Sequence, residues 1–293
     1  MTMPTQSHAF KRLVLGLQHS ASDRAMRTAV EFAGLLNLEL LGLFLEDVRL
    51  HELAGSPFAR EFKLFGGGWQ PIELDRLSRD FELAARNAER LFANAARRLP
   101  TKWQFEVIRG LTSETLESVS RTGDIVMVVQ PASPVEHATR QFPWSVEAAF
   151  RWASAVMLVP PQTVRRMGPI IAIAVNPNDP VIQTAAAIAI AAKEELVIVQ
   201  AWPRDAGDTV RELAEQSGLR IKTVGARENL LSSPASLFPL LDQLKGQLLV
   251  LTRSAAAHEA ALPAGLVRRI PVLLVEAPQT ILDDTASQTQ TSG

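Results

Sequence analysis

The chain alternates short apolar runs with stretches whose apolar residues recur at helical spacing, and this alternation constrains its fold more than any other feature. Residues 13–17, LVLGL, and 40–45, LLGLFL, have the composition of parallel strands that are buried on both faces. Between them, Met26, Ala29 and Ala33 fall on one face of a helix. This order of strand, helix and strand predicts a β-α-β unit, whose crossover should be right-handed.

The first half of the chain contains three further strand patterns. They cover residues 102–110, 125–129 and 156–159, and helices are predicted over 111–123 and 145–152. A longer helix precedes them, with an apolar stripe formed by Leu77, Phe81, Ala84, Ala88, Leu91, Ala95 and Leu99. Five strands with helices between them predict a doubly wound α/β domain.

Residues 49–76 interrupt this pattern as a long insertion that reads as irregular. The insertion is rich in Phe and Trp, which argues against disorder, and long loops in compact domains are uncommon unless they are functional. Its three consecutive glycines, 66–68, lack the preceding strand and following helix of a phosphate loop, so a loop without a ligand is favoured. We expect the insertion to fold over the carboxyl edge of the sheet, where α/β proteins bind ligands, or to present a surface to a partner.

The second half repeats the order of the first in fewer residues. Asp179 before Pro180 is the pattern of a helix cap, and the alanine-rich helix that follows, 181–193, has no polar face and should be buried. That burial is against its own sheet, against the other half or against another subunit. Strands are predicted at 170–175, 196–200, 220–225, 248–251 and 272–275, and further helices at 209–216 and 237–244.

The predicted fold class is therefore α/β, with two doubly wound domains, each a mainly parallel five-stranded sheet flanked by helices. We expect the domains at residues 9–163 and 164–279, and a flexible tail at 280–293.

Composition narrows the classes of function. Hydrophobic residues make up 47% and charged residues 21% of the chain, as in a folded soluble protein. A net charge of -1 provides no basic face for nucleic acid or for an anionic membrane, so neither is expected as a partner. The absence of cysteine excludes disulfides and Cys-ligated metals. With no signal-like or membrane-spanning apolar segment in the pattern, the expected location is the cytoplasm.

Three stretches of the chain resemble the universal stress protein family in tandem form. They are residues 11–47, 106–128, EVIRGLTSETLESVSRTGDIVMV, and 270–278, IPVLLVEAP, which are similar to the first, middle and closing strand units of that family. The resemblance implies a fold like the adenine nucleotide α-hydrolases. It also implies a pseudo-dimer in which the strands at 156–159 and 272–275 meet across a pseudo-twofold axis.

Nucleotide-binding members of that family carry an aspartate after the first strand and a glycine-rich phosphate loop after the fourth. Here the aspartate position holds Gln18 in the first half and Asn176 in the second. The stretch QPASPVEHATRQFPWS at 130–145 contains Pro131 and Pro134, which have no N–H to offer a phosphate, and residues 252–269 keep a single glycine. The resemblance thus implies degenerate nucleotide sites, with no cofactor expected and ATP or AMP as the alternative.

Two hypotheses of function follow. The first is a non-enzymatic regulatory or scaffolding protein of stress response that binds a protein partner or associates with itself as a homo-oligomer. The second is a small-molecule or adenine-nucleotide sensor with the insertion as a lid over a first-half crevice. The candidate ligand-binding residues of that crevice are Gln18, His19, Gln130, Ser133, His137 and Ser145.

Enzymatic function is disfavoured by the sequence. No Gly-x-Ser-x-Gly elbow occurs, so nothing selects a serine as nucleophile. No two of the five histidines have the spacing of metal ligands, so no metal site is predicted. A weak hydrolase or transferase would rest on fold analogy alone.

Overall fold

The computed structural model describes residues 10–17, 23–63, 68–110, 119, 121, 123–129, 149, 151, 153–160, 167–200, 202, 208–225, 234–253 and 270–276. The elements of the first half are β1 (Arg12–Leu17), α1 (Asp23–Leu35), β2 (Glu39–Asp47), α2 (Val48–Ala54), β3 (Arg60–Lys63), β4 (Gly68–Pro71), α3 (Leu74–Ala96), β5 (Trp103–Gly110), β6 (Asp124–Val129) and β7 (Ala155–Val159). Those of the second half are β8 (Ile170–Ala174), α4 (Pro180–Ala192), β9 (Leu196–Gln200), α5 (Asp208–Ser217), β10 (Ile221–Gly225), α6 (Pro234–Leu244), β11 (Leu248–Thr252) and β12 (Val272–Val275).

Ten of these strands form one continuous sheet, to which each half of the chain contributes five. The order is β10-β9-β8-β11-β12-β7-β6-β1-β2-β5. If the five sheet strands of each half are numbered 1 to 5 along the chain, the order from either end of the sheet is 3-2-1-4-5. All neighbours are parallel except β7 and β12, which are antiparallel and pair Leu273 with Met157. The expectation that the strands at 156–159 and 272–275 meet is confirmed, and so is the mainly parallel α/β fold class.

Helices cover both faces of the sheet, as in a doubly wound fold. On one face α1, α3 and α4 pack over a core that includes Leu15, Met127 and Ile198. On the other face α6 packs over a core that includes Val156 and Leu274. The central strands β7, β8, β9 and β11 are buried at every position, which explains their unbroken apolar sequences.

Helix α4 packs against its own sheet and also contacts α1 of the first half. Its buried face includes Val181, Ala185 and Ala189, and it lies over β8, β9 and β11. The helix is therefore buried both against its own sheet and against the other half of the chain, which are two of the three expected environments. Small alanine side chains allow the helix to lie close to the sheet.

The core face of α3 is centred one residue away from the predicted stripe. Its fully packed residues are Phe81, Ala85, Ala88, Phe92 and Ala96, whereas most residues of the predicted stripe are only partly buried. The reason lies on β2. A Cβ atom at Gly42 would lie 2.7 Å from Phe92 and 2.9 Å from Phe105, so the glycine leaves the space that Phe92 fills.

The insertion at 49–76 is not irregular as the sequence suggested. It contains α2 and the antiparallel hairpin β3–β4, in which Phe62 lies opposite Trp69. The two rings meet edge to face at a centroid distance of 5.5 Å. A side-chain hydrogen bond and ion pair from Arg76 of α3 to Glu61 anchor the hairpin, and this bond raises the pKa of Arg76 above its ordinary value. Because Arg76 keeps its proton throughout the physiological range, its side of the anchor does not titrate there.

Candidate functional site

The topology places one candidate crevice in each half, beyond the carboxyl ends of that half's strands, and because β7 and β12 are antiparallel the two crevices lie at opposite edges of the sheet. The direction of strand order reverses between β1 and β6 in the first half and between β8 and β11 in the second. Open α/β sheets bind ligands at such points, beyond the carboxyl ends of the strands. The domain boundary predicted at 163 and 164, the tail at 280–293 and all six candidate ligand residues, Gln18, His19, Gln130, Ser133, His137 and Ser145, lie outside the described residues.

The described part of the first crevice is the end of β1. Gly16 lies one residue before the end of this strand, and a Cβ atom there would meet no described atom within 4 Å. Its strand neighbour across the reversal is β6, whose last residues Val128 and Val129 are only partly buried. Among the described residues, therefore, no side chain packs against Gly16 at the carboxyl end of β1.

The described part of the second crevice is a turn closed by its own polar groups. Asp179 is 2% exposed, and its carboxylate accepts hydrogen bonds from the backbone N–H groups of Val175 at 3.0 Å and Val181 at 3.1 Å. The side-chain oxygen of Asn176 accepts from the backbone N–H of Asn178 at 2.9 Å. The predicted cap of α4 is thus confirmed. Asn176 uses its acceptor oxygen to hold the turn.

A shallow groove of about 200 Å³ lies beside this turn, between the start of α4 and α5. Its lining includes Asn178, Gln183, Glu212 and Gln216, and none of the described lining residues is Lys or Arg. It opens on the helix face rather than between β8 and β11, so it is not the crevice that the topology predicts. The Glu212 carboxylate in this lining disfavours a phosphate group.

A polar cluster lies at the carboxyl end of β2, in the first half. Oε1 of the buried Glu46 is 3.2 Å from Nε2 of His51 and 3.1 Å from Nη2 of Arg109. Ser78 Oγ lies 3.4 Å from the same nitrogen of His51. The imidazole ring stacks on Phe81 at a centroid distance of 5.2 Å. The cluster therefore ties the end of β2 and the start of the insertion to α3.

This cluster has the residue types of a catalytic triad but not its geometry. A triad needs the serine on one ring nitrogen of the histidine and the carboxylate on the other. Here Ser78 and Glu46 both face Nε2, and Nδ1 is buried without a hydrogen-bond partner in the described structure. The arrangement pairs Glu46 with two potential cations instead of activating Ser78.

Sequence reasoning did not single out His51, Glu46 or Ser78 as neighbours. The serine, in the second turn of α3, is 27 residues from the histidine in α2, and no sequence motif links two helices at such a distance. The one available signal was the position of Glu46 beside the carboxyl end of a predicted strand.

Within the described residues, no group of three or more His, Cys, Asp or Glu side chains is arranged to hold a metal ion. None of the helices described is both long and apolar enough to cross a bilayer.

Solved structures with the same fold include two universal-stress-type chains. A universal stress protein from Archaeoglobus fulgidus DSM 4304 aligns with 92% of this chain and 98% of its own, at 12% identity and a TM-score of 0.58. A Pseudomonas aeruginosa UCBPP-PA14 protein assigned to the same family aligns over 92% and 94%, at 15% identity and a TM-score of 0.53. No family model and no curated protein matches the sequence. The predicted universal stress protein fold is confirmed by this likeness of structure.

Proposed function

We propose that this chain, which has the universal stress protein fold, is a non-enzymatic regulatory or scaffolding protein of stress response with degenerate nucleotide sites. The observation that supports this most strongly is the closed turn after β8. There the Asp179 carboxylate and the Asn176 oxygen bond to backbone N–H groups of the turn itself. A carboxylate that already accepts two such bonds would lose them if it turned to a ligand.

The first half supports the same proposal by its sequence. Pro131 and Pro134 have no N–H groups to donate to phosphates. Gln18 is uncharged, whereas nucleotide-binding members of the family carry an aspartate for the base side of the nucleotide. In this proposal the two halves are tandem universal-stress-type domains that form an intrachain pseudo-dimer through β7 and β12. Its working site is a surface for a protein in the cytoplasm, without a cofactor.

The proposal is tested by unfolding the protein with and without nucleotide. A ligand that binds only the folded state raises stability, by about 2.7 kcal/mol at a hundred times its dissociation constant. We expect the same unfolding temperature with and without saturating Mg-ATP or AMP, and no turnover of either nucleotide. A rise that disappears in Gln18→Ala or Ser145→Ala would overturn the proposal.

The second candidate function is a small-molecule or adenine-nucleotide sensor in the first crevice. Two observations favour it. No described atom lies within 4 Å of a Cβ placed at Gly16, and the insertion is attached to the carboxyl end of β2 through Glu46 and His51. The ligand would be bound by Gln18, His19, Gln130, Ser133, His137 and Ser145.

Native mass spectrometry of the protein as purified tests this candidate. A bound species that is present in the wild type and absent in Gly16→Val would support it, because the valine side chain occupies the space beside Gly16. The matched control is Gly218→Asn, which changes a left-handed glycine with open surroundings in the second half. A spectrum of bare protein for all three would contradict the sensor.

A further inference from the structure

The hairpin β3–β4 presents its aromatic side chains to solvent. Side chains alternate between the two faces of a strand, and Glu61 points toward Arg76 of α3. Phe62 and its partner Trp69 therefore lie on the face directed away from the chain's own α3. They are 55% and 64% exposed, and Phe58, just before the hairpin, is 89% exposed.

A hairpin of this kind gains little stability by itself. In the described structure β3 and β4 form a separate two-stranded sheet, with four residues in each strand. Isolated two-stranded ribbons are marginal in water and become stable when a hydrophobic face is covered. One face is held by Arg76, and the aromatic face has no cover within the described residues.

The aromatic surface, defined as the exposed rings of Phe58, Phe62 and Trp69, has about half the area of one side of a standard protein interface. At ~200 Å² for each aromatic side chain, the exposed fractions leave about 400 Å² of aromatic surface in water. A standard interface buries about 800 Å² on each partner, and in homodimers about 65% of it is apolar. The aromatic surface therefore supplies most of the apolar area that one partner needs.

The charges around this surface favour a second copy of the same chain as the partner. Residues 48–76 contain four basic and four acidic residues, and the whole chain has a net charge of -1. A contact between two identical surfaces is repulsive when the surface has a net charge. A segment with equal numbers of basic and acidic residues has no such net repulsion and permits the contact. A partner of opposite charge has no net charge here to recognise.

Within the described residues the hairpin occurs once, although the sheet is built twice. In the second half β9 and α5 are only seven residues apart, at 201–207, which is fewer than the eight residues in the two strands of the hairpin. One self-complementary surface per chain gives a closed twofold dimer rather than an open filament.

We propose that two copies of this chain form a homodimer in which the aromatic faces of their β3–β4 hairpins pack against each other about a twofold axis. This inference does not rest on the proposed function, because nucleotide binding in the crevices neither requires nor prevents it.

The test is the mass of the protein in solution over a wide range of concentration. Sedimentation equilibrium of the wild type should give a reversible dimer, twice the 32.0 kDa of the chain. Threonine suits an exposed strand, so Phe62→Thr with Trp69→Thr should preserve the hairpin and raise the dissociation constant at least about tenfold for each ring. The control Ile190→Gln removes a half-exposed apolar residue from α4 and should leave the dimer unchanged.

A second measurement places the contact. The chain has no cysteine, so a single nitroxide label on Arg60→Cys, beside the aromatic face, reports only distances between copies. It should give one short distance, and a label on Met167→Cys, exposed and outside the hairpin, a longer one. A monomer at all concentrations, a dimer unaffected by the threonine pair, or a short distance only at Met167 would overturn the proposal.

Discussion

Arg12 on β1 binds Asp124 on β6 through two side-chain hydrogen bonds, Nε to Oδ1 at 3.2 Å and Nη2 to Oδ2 at 2.6 Å. The two side chains are 12% and 3% exposed. Arg12 also donates to the carbonyl of Val119, and Asp124 accepts from the backbone N–H of Arg121. This pair joins the amino ends of the two strands whose carboxyl ends flank the first crevice.

Replacing Asp124 with Ala should lower the free energy of unfolding by about 3 kcal/mol or more, because it leaves the buried Arg12 guanidinium without its counter-charge. Urea denaturation measures the loss. Glu82→Ala is the control, since it breaks the exposed pair of Glu82 and Arg86 and should cost less than about 1 kcal/mol. Equal losses in the two variants would contradict the importance given to burial.

Asp179→Ala should destabilise the second half by about 2 kcal/mol, because the backbone N–H groups of Val175 and Val181 both lose their acceptor. The stability of Asp179→Asn should lie between that of Asp179→Ala and that of the wild type, because the single carbonyl oxygen of asparagine keeps the helix cap. Thermal unfolding of the three proteins provides the comparison. If Asp179→Asn lost as much stability as Asp179→Ala, the helix cap would not be the main contribution of Asp179 to stability.

Gly42→Ala should cost about 1–3 kcal/mol, because its Cβ atom would press on the rings of Phe92 and Phe105 in a packed core. Gly16→Ala, on the neighbouring strand, should be neutral or stabilising by up to about 1 kcal/mol, since the added atom has no described atom within 4 Å. The difference in urea midpoint between the two variants is the measurement. A neutral Gly42→Ala would show that Phe92 is not fixed by that glycine.

The pairing of β7 with β12 predicts energetic coupling between the two halves. Met157 and Leu273 lie directly opposite each other and are buried, so each alanine variant should cost about 2–5 kcal/mol. Their double variant should depart from additivity by at least about 0.5 kcal/mol, because residues in contact share one cavity. The matched cycle joins Leu273 with Phe81, which lies on α3, and should be additive. Additivity in both cycles would contradict the pairing.

Much of the fold follows from the sequence because buried parallel strands and amphipathic helices leave periodic patterns. The strand at 125–129 and the cap at Asp179 were predicted at the positions where they occur. In these places local pattern and tertiary burial agree, as they do in the central strands.

The differences between the sequence predictions and the structure arise from contacts between residues that are distant in the chain. The hairpin depends on the pairing of Phe62 with Trp69 and on Arg76, which a strand of four residues cannot reveal by alternation. The position of Phe92 depends on the space at Gly42, 50 residues earlier. The cluster of Glu46 and His51 forms where a strand end, a helix and α3 converge. The six candidate ligand residues stay predictions.

The most direct test of the account is a calorimetric titration of the wild-type protein with Mg-ATP. If the nucleotide sites are degenerate as proposed, no saturable heat is expected, because Pro131 and Pro134 have no N–H to offer a phosphate. Stoichiometric, tight binding that is lost in Gln18→Ala and Ser145→Ala, but kept in Asp179→Asn, would place a working nucleotide site in the first half and contradict the central claim.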